Sequence, residues 1–399
     1  MPESGLALAD RPRTAGAGEE TRRSGFADAL RGFALTGICV VNLPLLALPA
    51  SAPPSGLSSP DEAARLLVAV LFEGKFFVLF SLLFGFGFAR QLAPARAGAV
   101  APASYARRLS GLFVLGVLHA VLLFASDILA TYALLGVALW AVRDWPDVRL
   151  LALARACVVA GAAAFAVLAW AGAETYDAAA ATADAEAARR AYGGGFVEGT
   201  ARRIEDLPSA AVVVFLFNWP LAFAAFCAGL VAGRRGLLDD PARLAGALPP
   251  VPLLAAGAVV GNLAAAASHR LPDVWAPAAG ALLAVGAPCL SALYLLGLAR
   301  AWRSPRARAW MEAWLAPGGR MSLSNYLGQS VAANLVLAGW GLGLYGTLGP
   351  AALLLLALAI AATGLVLSRS WLRRFRTGPA ERFLRAWTRH VPRGPRGPR

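Results

Sequence analysis

Between Leu109 and Trp140 the chain is apolar except for Ser110, His119, Ser126, Asp127, Thr131 and Tyr132. A histidine with a carboxylate nearby is the ordinary general-base arrangement, in which imidazole takes a proton from an attacking hydroxyl or amine and the carboxylate orients the ring. At about 1.5 Å per residue the stretch gives about 48 Å of helix, less than the roughly 60 Å of two full crossings. It therefore reads as a tight hairpin whose turn is recessed below the outer surface, with Asp127 at the floor of an external cavity. Mirroring about the turn sets His119 level with Tyr132, so a His119–Asp127 contact needs helical unwinding or a water. The competing reading is a histidine that only hydrogen-bonds two helices together.

Lys75 is the only lysine in a chain that otherwise uses arginine. An ammonium can lose its proton whereas a guanidinium effectively cannot, which makes Lys75 and its neighbour Glu73 candidates for chemistry; the bland alternative is a simple Glu73–Lys75 pair. Gly319-Arg320-Met321-Ser322-Leu323-Ser324-Asn325-Tyr326 continues to Gln329. Asn325, Tyr326 and Gln329 recur at helical spacing, so they line a polar path or hydrogen-bond neighbouring helices. Asn42 and Arg31 sit in the first apolar stretch, where Asp28 can cap the helix and Arg31 can hold a phosphate or snorkel. Gly341–Gly346 matches GxGxxG formally, but it follows an apolar helix and not a strand, so it is no dinucleotide loop. No cluster has metal-ligand spacing, and Cys39, Cys157, Cys227 and Cys289 all lie in apolar runs without CxxC spacing.

The elements that must position these residues are set by composition. Of 399 residues 58% are hydrophobic and 15% charged, against about a quarter charged in soluble domains. Apolar runs such as 210–233 and 278–298 approach the roughly 20 residues that cross a bilayer as helix. An ordinary soluble enzyme, a disulfide-stapled domain and a disordered scaffold are excluded. The fold expected is all-α, a polytopic transmembrane bundle of about ten spans at 30–48, 66–89, 109–124, 127–142, 150–171, 210–232, 251–268, 276–299, 321–340 and 348–368.

The formal charge of +14 lies between alternate spans and in the tail. Arg90, Arg96, Arg107 and Arg108 follow the second span, Arg300, Arg303, Arg306 and Arg308 the eighth, and residues 369–399 are densely basic. The intervening loops are neutral or acidic, and 173–209 holds seven acids against four arginines. That alternation puts both termini in the cytoplasm, and it accounts for the charge without nucleic acid. Residues 1–27 read as a disordered cytoplasmic lead without the apolar core of a signal peptide. The bundle then covers 28–369, with 173–209 as an external cap whose alanine-rich helix ends at Gly193-Gly194-Gly195. In the 370–399 tail, Phe383, Leu384 and Trp387 give a short helix an apolar face that lies on the inner leaflet or packs beneath the bundle.

DALRGFALTGICVVN at 28–42, LFEGKFFVLFSLLFGFGFA at 71–89, RRLSGLFVLGVLHAVLLFASDILATYALLG at 107–136, GRMSLSNYLGQS at 319–330 and FRTGPAERFLRAW at 375–387 resemble the YeiB-like family of bacterial polytopic membrane proteins, defined by a domain of unknown function. Ser126 stands where glycine usually precedes Asp127, and Ser324 where threonine is common. The family is distantly similar to multispanning acyltransferases that use cytoplasmic acyl-CoA, and that similarity rests on the N-terminal LRG…VN pattern, placing Asn42 near the chemistry. In the heparan-glucosaminide acetyltransferase branch a working histidine follows that Asn. Residues 43–65 contain none, so either His119 takes the role or the activity does not carry over.

Two functions follow as expectations for a multi-pass protein of a bacterial inner membrane. In the first, Arg31, Arg107, Arg108 and Arg320 hold the phosphates of acyl-CoA, a donor substrate and not a resident cofactor. His119 is the base, oriented by Asp127 or Tyr132, and Asn42 or Lys75 stabilises the oxyanion. The acceptor is a small molecule, glycan or lipid. In the second, Glu73, His119 and Asp127 relay protons in a small-molecule transporter, and the ninth span with Asn325, Tyr326 and Gln329 is the substrate path. The partners expected are the bilayer and the acceptor, with a homo-oligomer left open.

Overall fold

The computed structural model describes residues 25–49, 56–96, 102–175, 177–267 and 276–389. Most of the polar lead, His269, His390 and the last basic residues lie outside that range. Every regular element among the described residues is helical: α1 (Gly25–Ala47), α2 (Ser59–Leu71), α3 (Lys75–Arg96), α4 (Pro102–Leu122), α5 (Leu129–Ala141), α6 (Asp147–Thr175), α7 (Ala178–Tyr192) and α8 (Phe196–Val213). A π-helical turn, Val214–Asn218, joins α8 to α9 (Trp219–Arg234). There follow α10 (Pro241–Ala247), α11 (Val251–Ala267), α12 (Ala276–Trp302), α13 (Pro305–Arg320), α14 (Ser322–Leu337), α15 (Pro350–Trp371) and α16 (Pro379–Arg389).

Among the described residues six helices are long and apolar enough to cross a membrane: α1, the α2–α3 run over Ser59–Leu92, α4, α6, α12 and α15. The α8–α9 pair, bent by 47°, makes a seventh if counted as one span. The sequence-based expectation of about ten is not confirmed, since the other three stretches form shorter helices among the described residues. α5 has 13 residues, about 20 Å of helix, which falls short of about 30 Å of hydrocarbon. α11 and α14 have 17 and 16 residues.

α1 is the central helix, 56% buried over its apolar window, whereas α6 is 11% buried and α15 28%. Those outer helices present Val159, Val167 and Trp170, and Leu355, Val366 and Leu367, the apolar exterior that a bilayer solvates. Inside, small residues let backbones meet, as membrane interfaces require. A Cβ at Gly85 of α3 would run into the Phe226 carbonyl of α9, and one at Gly229 of α9 into the Leu82 carbonyl of α3.

The second expected span is broken. Gly74, at φ +79°, takes the left-handed conformation that only glycine adopts freely, and the chain turns from α2 into α3. The alanine-rich helix of the acidic segment ends at Gly193, as its glycine run predicts, and α8 begins at Phe196. The tail helix α16 packs against the bundle: Leu384 is buried, and Trp387 Nε1 donates to Ser110 Oγ at 3.2 Å. Its Glu381 accepts from the Leu323 and Ser324 amides at 2.8 and 3.1 Å, a carboxylate at the positive N-terminus of α14.

Candidate functional site

The hairpin between α4 and α5 builds the centre. The Leu123 and Phe124 amides both donate to the His119 carbonyl, so α4 ends there and 124–128 crosses as a non-helical turn. Asp127 Oδ2 accepts from the Ala130 amide at 2.9 Å and stands at the start of α5, a position that suits a carboxylate. This unwinding brings Asp127 Oδ1 within 2.8 Å of His119 Nδ1. Gly116 permits the approach, since a Cβ there would run into the Ala130 amide nitrogen. The mirrored pairing of His119 with Tyr132 is thereby corrected. Tyr132 Oη bonds Ser81 Oγ at 2.6 Å and the Phe77 carbonyl at 3.2 Å, both on α3.

A third residue completes the group. Tyr326 of α14 donates to Asp127 Oδ1 at 3.2 Å and accepts from the Ile128 amide at 3.4 Å. A carboxylate oxygen accepts from an N–H, which places the donated proton of this bond on His119 Nδ1 and leaves Nε2 on the opposite edge of the ring. Among the described residues Nε2 is buried without a hydrogen-bond partner. The arrangement is a carboxylate-oriented imidazole whose basic nitrogen is unspent.

Two cavities lie on opposite ends of α1. The first, of about 530 Å³, is lined by Asp28 and Arg31 of α1, by Arg90, Arg108 and Arg320, and by Glu381 and Arg385. Its inner wall includes Phe80 and Phe84, whose rings lie 6.1 and 5.5 Å from Tyr132. Arg31 bonds Asp28 at 2.7 Å and Arg90 bonds Asp239 at 2.6 Å. Five arginines face two carboxylates in this wall. The second cavity, of about 690 Å³, is lined by Leu45, Leu46 and Leu48 at the far end of α1, by Leu123–Ser126, and by residues of α7, α8 and α14. It is the recess the short hairpin predicts, but Asp127 is not its floor. The Asp127 side chain is 1% exposed and does not line the cavity, whereas Phe124 does and meets the His119 ring edge-on at 6.2 Å.

Several expected site residues serve the scaffold. Lys75 is fully buried and its ammonium donates to the Ala69 carbonyl at 2.7 Å, closing the C-terminal turn of α2 across the Gly74 break. Glu73 is exposed and forms no ion pair with it among the described residues. Asn325 donates to the Gly318 carbonyl and Ser368 Oγ at 3.1 and 2.7 Å, and Gln329 to the Leu35 carbonyl at 3.3 Å. Arg107 donates to the Thr388 carbonyl of α16 at 3.0 Å and lies outside the arginine-lined wall. Asn42 is half-buried, bonds no side-chain partner among the described residues and lines neither cavity. The Lys75 donor expected at an oxyanion is committed to the Ala69 carbonyl. Among the described residues no three His, Cys, Asp or Glu side chains form a metal cluster, and the cysteines are free thiols.

Sequence reading missed three groups. Arg90 and Arg385 enter the arginine wall from distant segments, where they had counted only as loop charge. Arg203 and Asn334 meet at 2.6 Å in the second cavity, joined by no local signal. Tyr192 donates to Asp206 at 2.6 Å, and burial together with that carboxylate pushes its phenol well above the ordinary range, so it stays a donor.

A family model described as "Protein of unknown function (DUF418)" matches residues 232–390. Uncharacterized protein YxaH of Bacillus subtilis (strain 168) is 31% identical over 387 residues, covering 92% of this chain and 94% of the relative. Uncharacterized protein YeiB of Escherichia coli (strain K12) is 29% identical over 380 residues, covering 90% and 95%. No solved structure matches the chain.

Proposed function

The chain belongs to the YeiB-like, DUF418 family of membrane proteins, and we propose that this member is an acyltransferase of a bacterial inner membrane. On this reading it takes an acyl group from cytoplasmic acyl-CoA and passes it to an acceptor hydroxyl or amine reached from the other side. The observation that carries the proposal is the buried His119–Asp127 pair with Nε2 unspent, on a hairpin whose turn walls one cavity while Tyr132 abuts the aromatic wall of the other. The phosphates of CoA suit the arginine wall, where Arg31, Arg108 and Arg320 act as bidentate donors and Arg90 and Arg385 add charge. Phe80 and Phe84 offer the acyl chain an apolar surface.

As the acceptor oxygen or nitrogen bonds to the thioester carbonyl carbon, its proton passes to His119 Nε2. The C–S bond breaks, and the imidazolium gives that proton to the departing CoA thiolate. Asp127 holds the ring in the tautomer this needs, and Tyr326 holds Asp127. Movement of Phe124 would open Nε2 toward the second cavity.

The same two cavities would also suit a proton-coupled transporter with His119 and Asp127 in its relay; the exposed Glu73 is poorly placed to join them. One experiment separates the readings. The thermal stability of the full chain in nanodiscs is measured against a panel of acyl-CoAs, with free CoA and inorganic phosphate alongside. The expected result is a saturable shift with one acyl-CoA that Arg108→Gln weakens. Absence of any shift in folded protein overturns the acyltransferase reading and turns attention to flux in proteoliposomes.

A further inference from the structure

We propose that the cavity at the far end of α1 binds an oxyanion carried on an apolar body, with the Arg203 guanidinium as its anchor. Arg203 is 3% exposed and lines this cavity. Its Nη2 donates to Asn334 Oδ1 at 2.6 Å, and its guanidinium lies over the Tyr192 ring, 5.3 Å from the centroid. Nη1 has no hydrogen-bond partner among the described residues. A buried cation with donors unspent is costly unless an anion completes it; the carboxylates nearby spend their hydrogen bonds on other groups, and Asp206 acts on Arg203 through charge alone. Asp206 takes Arg202 Nε at 2.8 Å and the Tyr192 hydroxyl at 2.6 Å. Asp184 takes Arg202 at 2.6 Å, and Glu205 is exposed. None forms an ion pair with Arg203 among the described residues.

The rest of the lining selects the body of the ligand. Leu45, Leu123, Phe124, Val213 and Leu337 present hydrocarbon, and a ligand held there by one guanidinium would lay its apolar part against them. Asn334 also fixes the wall itself, since its Nδ2 donates to the Leu123 carbonyl at 3.0 Å, one helical turn beyond His119. Occupancy of the anion site is thus tied by two hydrogen bonds to the segment that covers the imidazole. If acyl transfer is the reaction, which this clause alone assumes, the anionic amphiphile is the acceptor.

The test needs no acyl-CoA, so its failure and the failure of the acyl-transfer reading are distinguishable. The full chain in zwitterionic nanodiscs is titrated with octyl phosphate, inorganic phosphate and octanol while thermal stability is recorded. The expected result is a saturable shift with octyl phosphate, none with octanol, and at least tenfold weaker binding in Arg203→Gln, with Arg190→Gln as an unaffected control. Ala210→Trp, which puts a large ring into the cavity lining, should abolish the shift and serves where Arg203→Gln does not fold. Equal binding of inorganic phosphate keeps the anchor and removes the apolar body. No shift with either anion in folded protein, or unchanged binding in a folded Arg203→Gln or Ala210→Trp variant, overturns the proposal.

Discussion

Tyr326 grips Asp127 from a helix that begins almost two hundred residues further along the chain, donating to Oδ1 at 3.2 Å while accepting from the neighbouring Ile128 amide at 3.4 Å. Tyr326→Phe removes both bonds and leaves the carboxylate to His119 and the Ala130 amide alone. A lost buried hydrogen bond costs about 1–3 kcal/mol, so the variant should melt earlier and transfer acyl groups several-fold more slowly. His119→Ala also strips Asp127 of a buried bond and should melt earlier too, but beyond that it should lose the about 10²–10⁴ in rate that a general base contributes. Equal loss in both variants would show that His119 acts only as a link between helices.

Gly116 decides whether the hairpin closes. A methyl group there must displace the Ala130 amide, with Asp127 Oδ2 also at 2.8 Å. Overpacking of this kind costs about 1–3 kcal/mol, so Gly116→Ala should lower thermal stability and lengthen the His119–Asp127 contact. Gly328→Ala, where an added Cβ meets nothing within 4 Å, is the matched control and should melt like the parent. Circular-dichroism melts of the two proteins decide the point.

Lys75 is a structural residue by its geometry. Lys75→Met keeps the length of the side chain but leaves the Ala69 carbonyl without its donor across the Gly74 break. Hydrogen bonds to charged groups contribute about 1.5–3 kcal/mol, and destabilisation of that order is expected, with acyl-CoA binding unchanged. A variant that keeps its melting temperature and loses acyl transfer would restore Lys75 to the chemistry.

The arginine wall should reveal itself through salt. Arg320 is exposed at the first cavity and makes no side-chain hydrogen bond or ion pair among the described residues, so its charge is available to a phosphate. Arg320→Gln should weaken CoA binding about fivefold to tenfold at low ionic strength, with a smaller deficit as salt shortens the Debye length to about 8 Å. A deficit that does not change with salt, followed by calorimetry, would mean the arginine acts through shape and not charge.

Glu381 locks the tail to the bundle. Besides the two amides of α14, it accepts from Ser324 Oγ at 2.5 Å, and Ser324 Oγ in turn accepts from the Ala380 amide at 3.0 Å. Glu381→Gln removes the charge at the helix N-terminus, a loss of about 0.3–1 kcal/mol. Hydrogen exchange should speed up in α16 and the first turn of α14 while α1 stays protected. Exchange confined to the parent pattern would show that Leu384 and Trp387 hold the tail without it.

The sequence by itself determined the class of the protein, because the length of an apolar run and the charges flanking it are local quantities that a bilayer reads directly. It also located the stretch that bears His119 and Asp127, since an ionisable group in an apolar run is visible without any neighbour. Of the about ten spans it suggests, six or seven stand among the described residues as helices long and apolar enough to cross, because α5, α11 and α14 are shorter there.

The pairing within the hairpin was not legible. Mirror symmetry assumes two regular helices, whereas the His119 carbonyl takes two amides, the chain unwinds, and Asp127 swings to the imidazole in place of Tyr132. Lys75 and Asn325 looked like chemistry because residue type alone cannot say whether a donor is already spent on a backbone carbonyl. Arg90, Arg385, Arg203 and Asn334 acquire meaning only from tertiary structure, which gathers α1, α3, α4, α13 and α16 around one cavity and sets α8 against α14 in the other. Composition fixes what a side chain can do, and the fold fixes which of its bonds remain to be made.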